Sequence, residues 1–452
     1  MLSFLWSLFF FIVALGILVA VHEWGHFWVA RRCGVKVERF SVGFGKALWR
    51  TKDKLGTEYV IALIPLGGYV KMLDERVDHV RDEDLPHAFN RQSVYKRIAI
   101  IAAGPVTNFL FAIIALMLMY LVGVDSVKPV IGKITPNSLL SEASITPRSQ
   151  IIAVDGTQTR DWDAVNLELV SHIGHASMEL TLLQTDNQSR YTRNVDIGNW
   201  QFNPEQQSAL ESLGIEPYRP ELTTIIAWIA EDSAASRANI QQNDKIISLD
   251  GTPAQDWVQI VSYIAARPNQ DVTIGVERQG SVQDINVLLD SRTAENGELQ
   301  GYLGVVPQME PWPESYRFNQ QYDPVNALWQ GVVKTWRLMT LSVEMIGKLL
   351  TGDVSVKNLS GPISIAQGAG ASAGYGLVYF LSFLALISVN LGIINLLPLP
   401  VLDGGHLLYY VIEMITGKPV SEKVQEIGFR IGGTLLFLLM AVAIMNDIGR
   451  LG

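Results

Sequence analysis

Apolar residues are unevenly placed along this chain. From Leu2 to Val21 no position is charged, and about 20 apolar residues in a row suffice for one helix to cross a bilayer. Further uncharged runs cover Ile98 to Val124, Tyr375 to Leu397 and, more briefly, Ile431 to Met445. Each run predicts a membrane helix, four in all. The first run has neither a basic leader nor a small-residue cleavage site, so it is expected to stay on the chain as a span.

The segments between the runs follow other patterns. Glu58 to Ile64 is apolar and β-branched, Pro65-Leu66-Gly67-Gly68 reads as a turn, and Tyr69-Val70 resumes. That pattern over 57–72 predicts a β-hairpin, too short to span as a helix. Open strand edges cannot face lipid, so the hairpin either dips in beside protein, lies at the interface, or sits in the cytoplasm as an ordinary hairpin. Residues 74–97 are polar and read as cytoplasmic. Val325, Leu328, Val332, Trp336, Met339, Val343, Ile346 and Leu350 recur at steps of three and four. They predict one helix with an apolar stripe, which Lys334, Arg337, Glu344 and Lys348 interrupt. Such a helix is expected to lie on the membrane rather than cross it.

From about 127 to 310 the composition becomes that of a soluble region, and it repeats. Ile134, Ser138, Ile151-Ile152, Asp155-Gly156-Thr157 and Asp161-Trp162 recur as Ile229, Ser233, Ile246-Ile247, Asp250-Gly251-Thr252 and Asp256-Trp257. Identity in register at a domain-sized period predicts two tandem copies of one fold. The unit resembles the PDZ domain in its bacterial, circularly permuted form. PDZ folds add an extended peptide to an open sheet edge, but neither copy shows a clear carboxylate-binding loop. A steric or packing role stays open.

Charge sets the orientation. Arg31, Arg32, Lys36, Arg39, Lys46, Arg50, Lys52 and Lys54 follow the first run, and such clusters stay in the cytoplasm. Both termini and the repeat region are then expected outside, in the periplasm. Among 452 residues 48% are apolar and the net charge is −9, which suggests no nucleic-acid partner. The single cysteine, Cys33, rules out an intrachain disulfide and a Cys-rich metal site.

The chemistry concentrates where the first run ends. Val21 is followed by His22-Glu23-Trp24-Gly25-His26, an H-E-x-x-H motif. On a helix, residues four apart share a face, so His22 and His26 can hold one zinc ion, short of a third protein ligand. Glu23 is then placed to take a proton from a water on that metal. Ionisable groups at such a depth are costly unless they have a function or a partner. Gly104-Pro105 and Asn108 suggest a kink and a polar inward face in the second span. The third ends in Asn395-Leu396-Leu397-Pro398-Leu399-Pro400-Val401-Leu402-Asp403-Gly404. Its prolines break the helix and bring Asp403 out on the side of His26.

H-E-x-x-H closing the first span, N-x-x-P-x-P-x-L-D-G after a later one and tandem PDZ-like units between them resemble the site-2 protease family of intramembrane zinc metalloproteases. The resemblance covers nearly the whole chain. It implies Zn²⁺ on His22, His26 and Asp403, with Glu23 catalytic and residues 57–72 as a membrane-reentrant hairpin. Asn395 takes the place of a family asparagine, either binding the substrate backbone and its oxyanion or packing helices. If the hairpin adds the opened substrate as a strand, Val60, Ile61, Ala62 and Leu63 form the binding edge.

The expected fold is a polytopic α-helical membrane protein with four transmembrane helices, a reentrant β-hairpin and a periplasmic tandem PDZ insertion. Its expected divisions are 1–125, two PDZ-like domains at 126–220 and 221–312, a linker with the interfacial helix at 313–374, and 375–452. The family implies a multi-pass protein of the bacterial inner membrane. Its substrate would be a single-pass membrane protein of anti-sigma-factor type, first cut outside the membrane, in envelope-stress signalling. Two other readings are a membrane-bound zincin that cuts soluble proteins or loops, and a non-enzymatic PDZ scaffold.

Overall fold

The computed structural model describes residues 2–77, 79–201, 207–293 and 298–450. Two compact units emerge: Met1–Glu216 with Phe318–Gly452, and Pro217–Arg317. Among the described residues four helices are long and apolar enough to cross a membrane: Leu2–Arg32, Val94–Val122, Leu377–Leu396 and Glu422–Gly449. The first and last run well beyond their uncharged stretches. Long polar side chains at the ends of a span can reach water while their stems stay in the apolar layer.

Val94–Val122 is the central helix of the larger unit, packed against Leu2–Arg32, Leu377–Leu396 and Pro324–Thr351. Small residues allow the close approaches. A Cβ on Gly25 would stand 2.5 Å from the Ala103 carbonyl oxygen, and one on Gly331 would stand 2.8 Å from that of Ile113.

Helix Pro324–Thr351 starts on the side-chain cap of Asp323 and buries Ala327, Gly331, Thr335 and Leu338. The larger apolar side chains of the sequence stripe, among them Val325, Trp336, Val343 and Leu350, stay exposed. Most of the stripe therefore faces away from the protein, while Met339 and Ile346 join Ala327 and Leu338 in the packed face.

No sequence pattern predicted helix Pro362–Gly374, which is rich in Gly, Ala and Ser. A distant residue secures its start. The buried Asp447 carboxylate accepts from the backbone N–H groups of Gly361, Ile363 and Ser364 at 3.0, 2.8 and 3.2 Å. These are donors that a helix start otherwise leaves unpaired. Trp6 Nε1 donates to the Gly370 carbonyl at 2.9 Å and ties this helix to the first span.

The hairpin expected at 57–72 takes a different form. Strands Val37–Lys52 and Glu58–Met72 both fold back on themselves. Ser41 pairs with Tyr69 on one side and with Val60 on the other, while Val60 also pairs with Arg50. The sheet order is therefore 69–72, 37–42, 58–62, 47–52. The two arms of the expected hairpin are not neighbours, because the strand beginning at Val37 lies between them. Gly43 and Gly45, at φ +93° and +86°, make the bend that returns this strand to the sheet.

The two repeat copies show why their shared residues recur. Asp155-Gly156 and Asp250-Gly251 have φ +42°, +76° and +47°, +75°, the positive pair of a tight hairpin turn. Each aspartate also accepts a backbone N–H, from Glu179 and from Thr273, both at 2.7 Å. Asp161 and Asp256 cap helices Trp162–Ser171 and Trp257–Ala265, and this capping is what the Asp-Trp pairs encode. In each copy the helix lies against an antiparallel sheet over its own apolar core.

Candidate metal centre

His22 and His26 lie one turn apart on Leu2–Arg32 and are both buried. Their Nε2 atoms are 3.2 Å apart. Asp403, the first residue of helix Asp403–Thr416, brings Oδ2 to 3.2 Å from His22 Nε2 and 3.3 Å from His26 Nε2. The break between the third span and this helix is local. Pro398 and Pro400 end the regular ladder, and short turns from Leu399 to Leu397 and Leu402 to Leu399 aim the chain. Gly404 and Gly405 face the backbone of 396–400 so closely that a Cβ on either would collide with it.

Three features fit these residues to zinc. The ligand atoms of a tetrahedral zinc, bound at about 2.0–2.1 Å, stand about 3.3 Å apart, which matches the observed triangle. Two imidazoles and a carboxylate are a common donor set for an open zinc site. The Asp403 Oδ2 atom is shielded from solvent and makes no hydrogen bond, as an atom reserved for a cation would be.

The second span forms the back wall. His26 Nδ1 donates to the Ile100 carbonyl at 2.9 Å, and the Asn108 carboxamide lies 3.2 Å from His22 Nδ1. Between them Gly104 leaves room for both rings, since a Cβ there would come within 2.6 Å of His26 Cε1 and 2.8 Å of His22 Cε1. Glu23 occupies the next face of the first helix, close to Gly68 and the strand that carries Val70. The sheet rests there because Gly68 has no side chain: a Cβ would meet Val19 Cγ1 at 2.8 Å and Glu23 Cγ at 3.1 Å.

The structure thus brings together His22, Glu23, His26 and Asp403. Asn395 is half-buried in the last turn of Leu377–Leu396. Among the described residues it makes no hydrogen bond to these four. The expectation that residues 60–63 form an open edge needs correction. Val60 pairs with Ser41 and Arg50, and Ile61 with Val42 and Trp49, while Ala62 pairs with Ala47. Val60 and Ile61, paired on both sides, have no free backbone groups for an added strand. The outer strands are 47–52 and 69–72, and the latter adjoins Glu23. Leu63 and Ile61 instead present exposed apolar side chains. Nothing in the sequence marks Ile100 or Val70 as neighbours of the site. Only Gly104-Pro105 and Asn108, as polar and small residues within an apolar run, hinted at this wall.

Two buried histidines on a membrane-length helix, with an aspartate and a glutamate beside them, are the site of a membrane metallopeptidase. Residues 10–439 match the model of Peptidase family M50. The chain belongs to that family, the site-2 proteases, and is a zinc metalloprotease. It is 54% identical over 451 residues to the regulator of sigma-E protease RseP of Salmonella typhimurium, and equally to that of Escherichia coli K12. It is 50% identical over 452 residues to a Vibrio cholerae protein named as a zinc metalloprotease. All three alignments cover 100% of both chains.

Proposed function

We propose that this chain hydrolyses a peptide bond of single-pass membrane proteins at a zinc site within the bilayer, with His22, His26 and Asp403 as ligands. The observation that carries the proposal is the 3.2–3.3 Å triangle of their donor atoms on and beside membrane-length helices. When bound there, zinc polarises the scissile carbonyl and makes a water more acidic. Glu23 takes the proton from that water and hands it to the leaving nitrogen. The sheet packs against Glu23 at Gly68, so it flanks the base as well as the site. Asn395 can turn toward a substrate backbone carbonyl once one is present.

A substrate helix hides its peptide bonds in its own hydrogen-bond ladder and has to open before it is cut. The outer strand 69–72 lies beside Glu23 and supplies the edge at which an opened segment could pair. Phe44, Leu48, Trp49, Ile61, Leu63 and Ile64 are exposed on the sheet, which favours a sheet that dips into lipid. The basic residues after His26 support a site toward the cytoplasm, with the PDZ-like copies in the periplasm of an inner-membrane protein. There they would exclude substrates not yet shortened from outside. The relatives named for sigma-E regulation support an anti-sigma-factor-like substrate in envelope-stress signalling.

Purified protein in proteoliposomes, given a single-pass substrate with a truncated outer domain, tests the reading. Wild type is expected to cut it, and Glu23→Gln to retain zinc while turning over about 10² times more slowly or worse. Equal cleavage by Glu23→Gln would remove Glu23 as the base. Faster cleavage of an unfolded soluble protein than of the membrane substrate would favour a zincin open to water, and no cleavage of either would favour a scaffold.

A further inference from the structure

Ile100, Gly104 and Asn108 are spaced four apart on the second span, so they share one helical face. That face meets the two histidines. Ile100 offers a carbonyl to His26 Nδ1, Gly104 offers space, and Asn108 offers a carboxamide to His22 Nδ1 at 3.2 Å. Asn108 is completely buried, and the far end of its amide finds no partner. A leucine of similar volume would fill the place without bringing an unpaired amide of its own, so packing alone does not account for the asparagine.

The ligand geometry does. His22 Nε2 points at His26 Nε2 and Asp403 Oδ2, and a metal there needs its lone pair. In a neutral imidazole the proton then sits on Nδ1, which becomes a donor and requires an acceptor. The group standing at Nδ1 is Asn108. The two ends of a carboxamide exchange by a half-turn and are assigned from their partners. An amide N–H facing an imidazole N–H would be two donors in opposition, so the oxygen belongs there.

We propose that Asn108 is the positioning residue of the metal site: its Oδ1 accepts the His22 Nδ1 proton, which holds the ring in the tautomer and orientation that present Nε2 to zinc. The inference rests on the ligand set proposed above. Ser388, also fully buried, donates its hydroxyl to the Asn108 backbone carbonyl at 2.8 Å. The third span, which leads to Asp403, thereby braces the residue that orients His22. Outer partners of this kind fix the ligand ring and raise its basicity.

The test compares full-length wild type, Asn108→Leu, Asn108→Asp and His22→Ala in detergent. Zinc retention is read against a graded chelator, and thermal unfolding of the metal-free forms is read alongside. Asn108→Leu is expected to weaken zinc binding about 10- to 100-fold without lowering the metal-free melting temperature. Asn108→Asp, which keeps an acceptor, is expected to restore zinc binding. A merely structural role predicts the opposite pair for leucine, namely unchanged zinc and an altered melting temperature. Undiminished zinc binding by Asn108→Leu, or a loss that aspartate does not rescue, would overturn the proposal. If the leucine variant does not fold, Asn108→Ala is read by the same criteria. His22→Ala separates the two levels: full zinc in that variant defeats the ligand set itself, whatever Asn108 does.

Discussion

Gly104 faces His26 so closely that an added methyl carbon would stand 2.6 Å from the ring's Cε1. The second span has no side chain at the point where the first span carries its histidines. Gly104→Ala is therefore expected to push both rings off the triangle and lower zinc affinity by at least about tenfold, with helical content unchanged. Zinc per chain after dialysis, alongside circular dichroism, checks this. An alanine variant with full zinc would show that the rings have slack the geometry does not suggest.

Asp403 is the proposed ligand that comes from a separate helix. Asp403→Ala leaves two imidazoles, one short of the three protein ligands an open zinc site keeps. Bound metal should fall from about one per chain to a small fraction, and a His22→Ala, His26→Ala double variant should lose it altogether. Full occupancy in the double variant would place the metal elsewhere.

The basic residues after the first span set the expected topology. Reporter fusions near residues 60 and 415 should read cytoplasmic, and one near residue 200 periplasmic. A periplasmic signal at 415 would mean that Pro324–Thr351 crosses the membrane instead of lying along the protein.

The unit Pro217–Arg317 carries an ion pair with a definite pH signature. Asp244 is 1% exposed and meets Arg278 Nη2 at 2.6 Å and Nε at 2.7 Å. Burial pushes its carboxyl up, but the Arg278 guanidinium and the Gln241 N–H outweigh burial and hold it below the usual 3.8. A carboxylate depressed in the folded state contributes stability that is complete above about pH 4 and lost as pH falls through the lowered value. Arg278→Leu strands a buried charge and should cost about 3 kcal/mol at pH 6, but less at pH 3, where the carboxyl takes up a proton. Urea unfolding of residues 217–317, followed by tryptophan fluorescence, measures both. An equal cost at the two pH values would refute the assignment.

Local features of the chain are legible in its sequence. The four spans follow from uncharged length, and the shared face of His22 and His26 from the 3.6-residue turn. The paired copies of 127–310 show in residues that now prove to be turns and caps, Asp155-Gly156 and Asp161 among them. Each of these depends on neighbours within a few positions, and local periodicity records such neighbours directly.

What folding alone decided is which distant segments meet. The prolines before Asp403 put it on the side of His26, but its part as third ligand came only from a family resemblance, because no spacing rule links the two residues. The arms of the 57–72 segment looked adjacent, yet the strand from Val37 lies between them and closes both edges of Val60, since strand pairing obeys no local period. Helix Pro362–Gly374 lacks an apolar stripe, and its capping carboxylate, Asp447, lies on the last span. Asn108 read as a polar spot in an apolar helix until His22 Nδ1 was found 3.2 Å away. A buried polar group acquires its role from the partner that satisfies it, and here each partner lies on another helix.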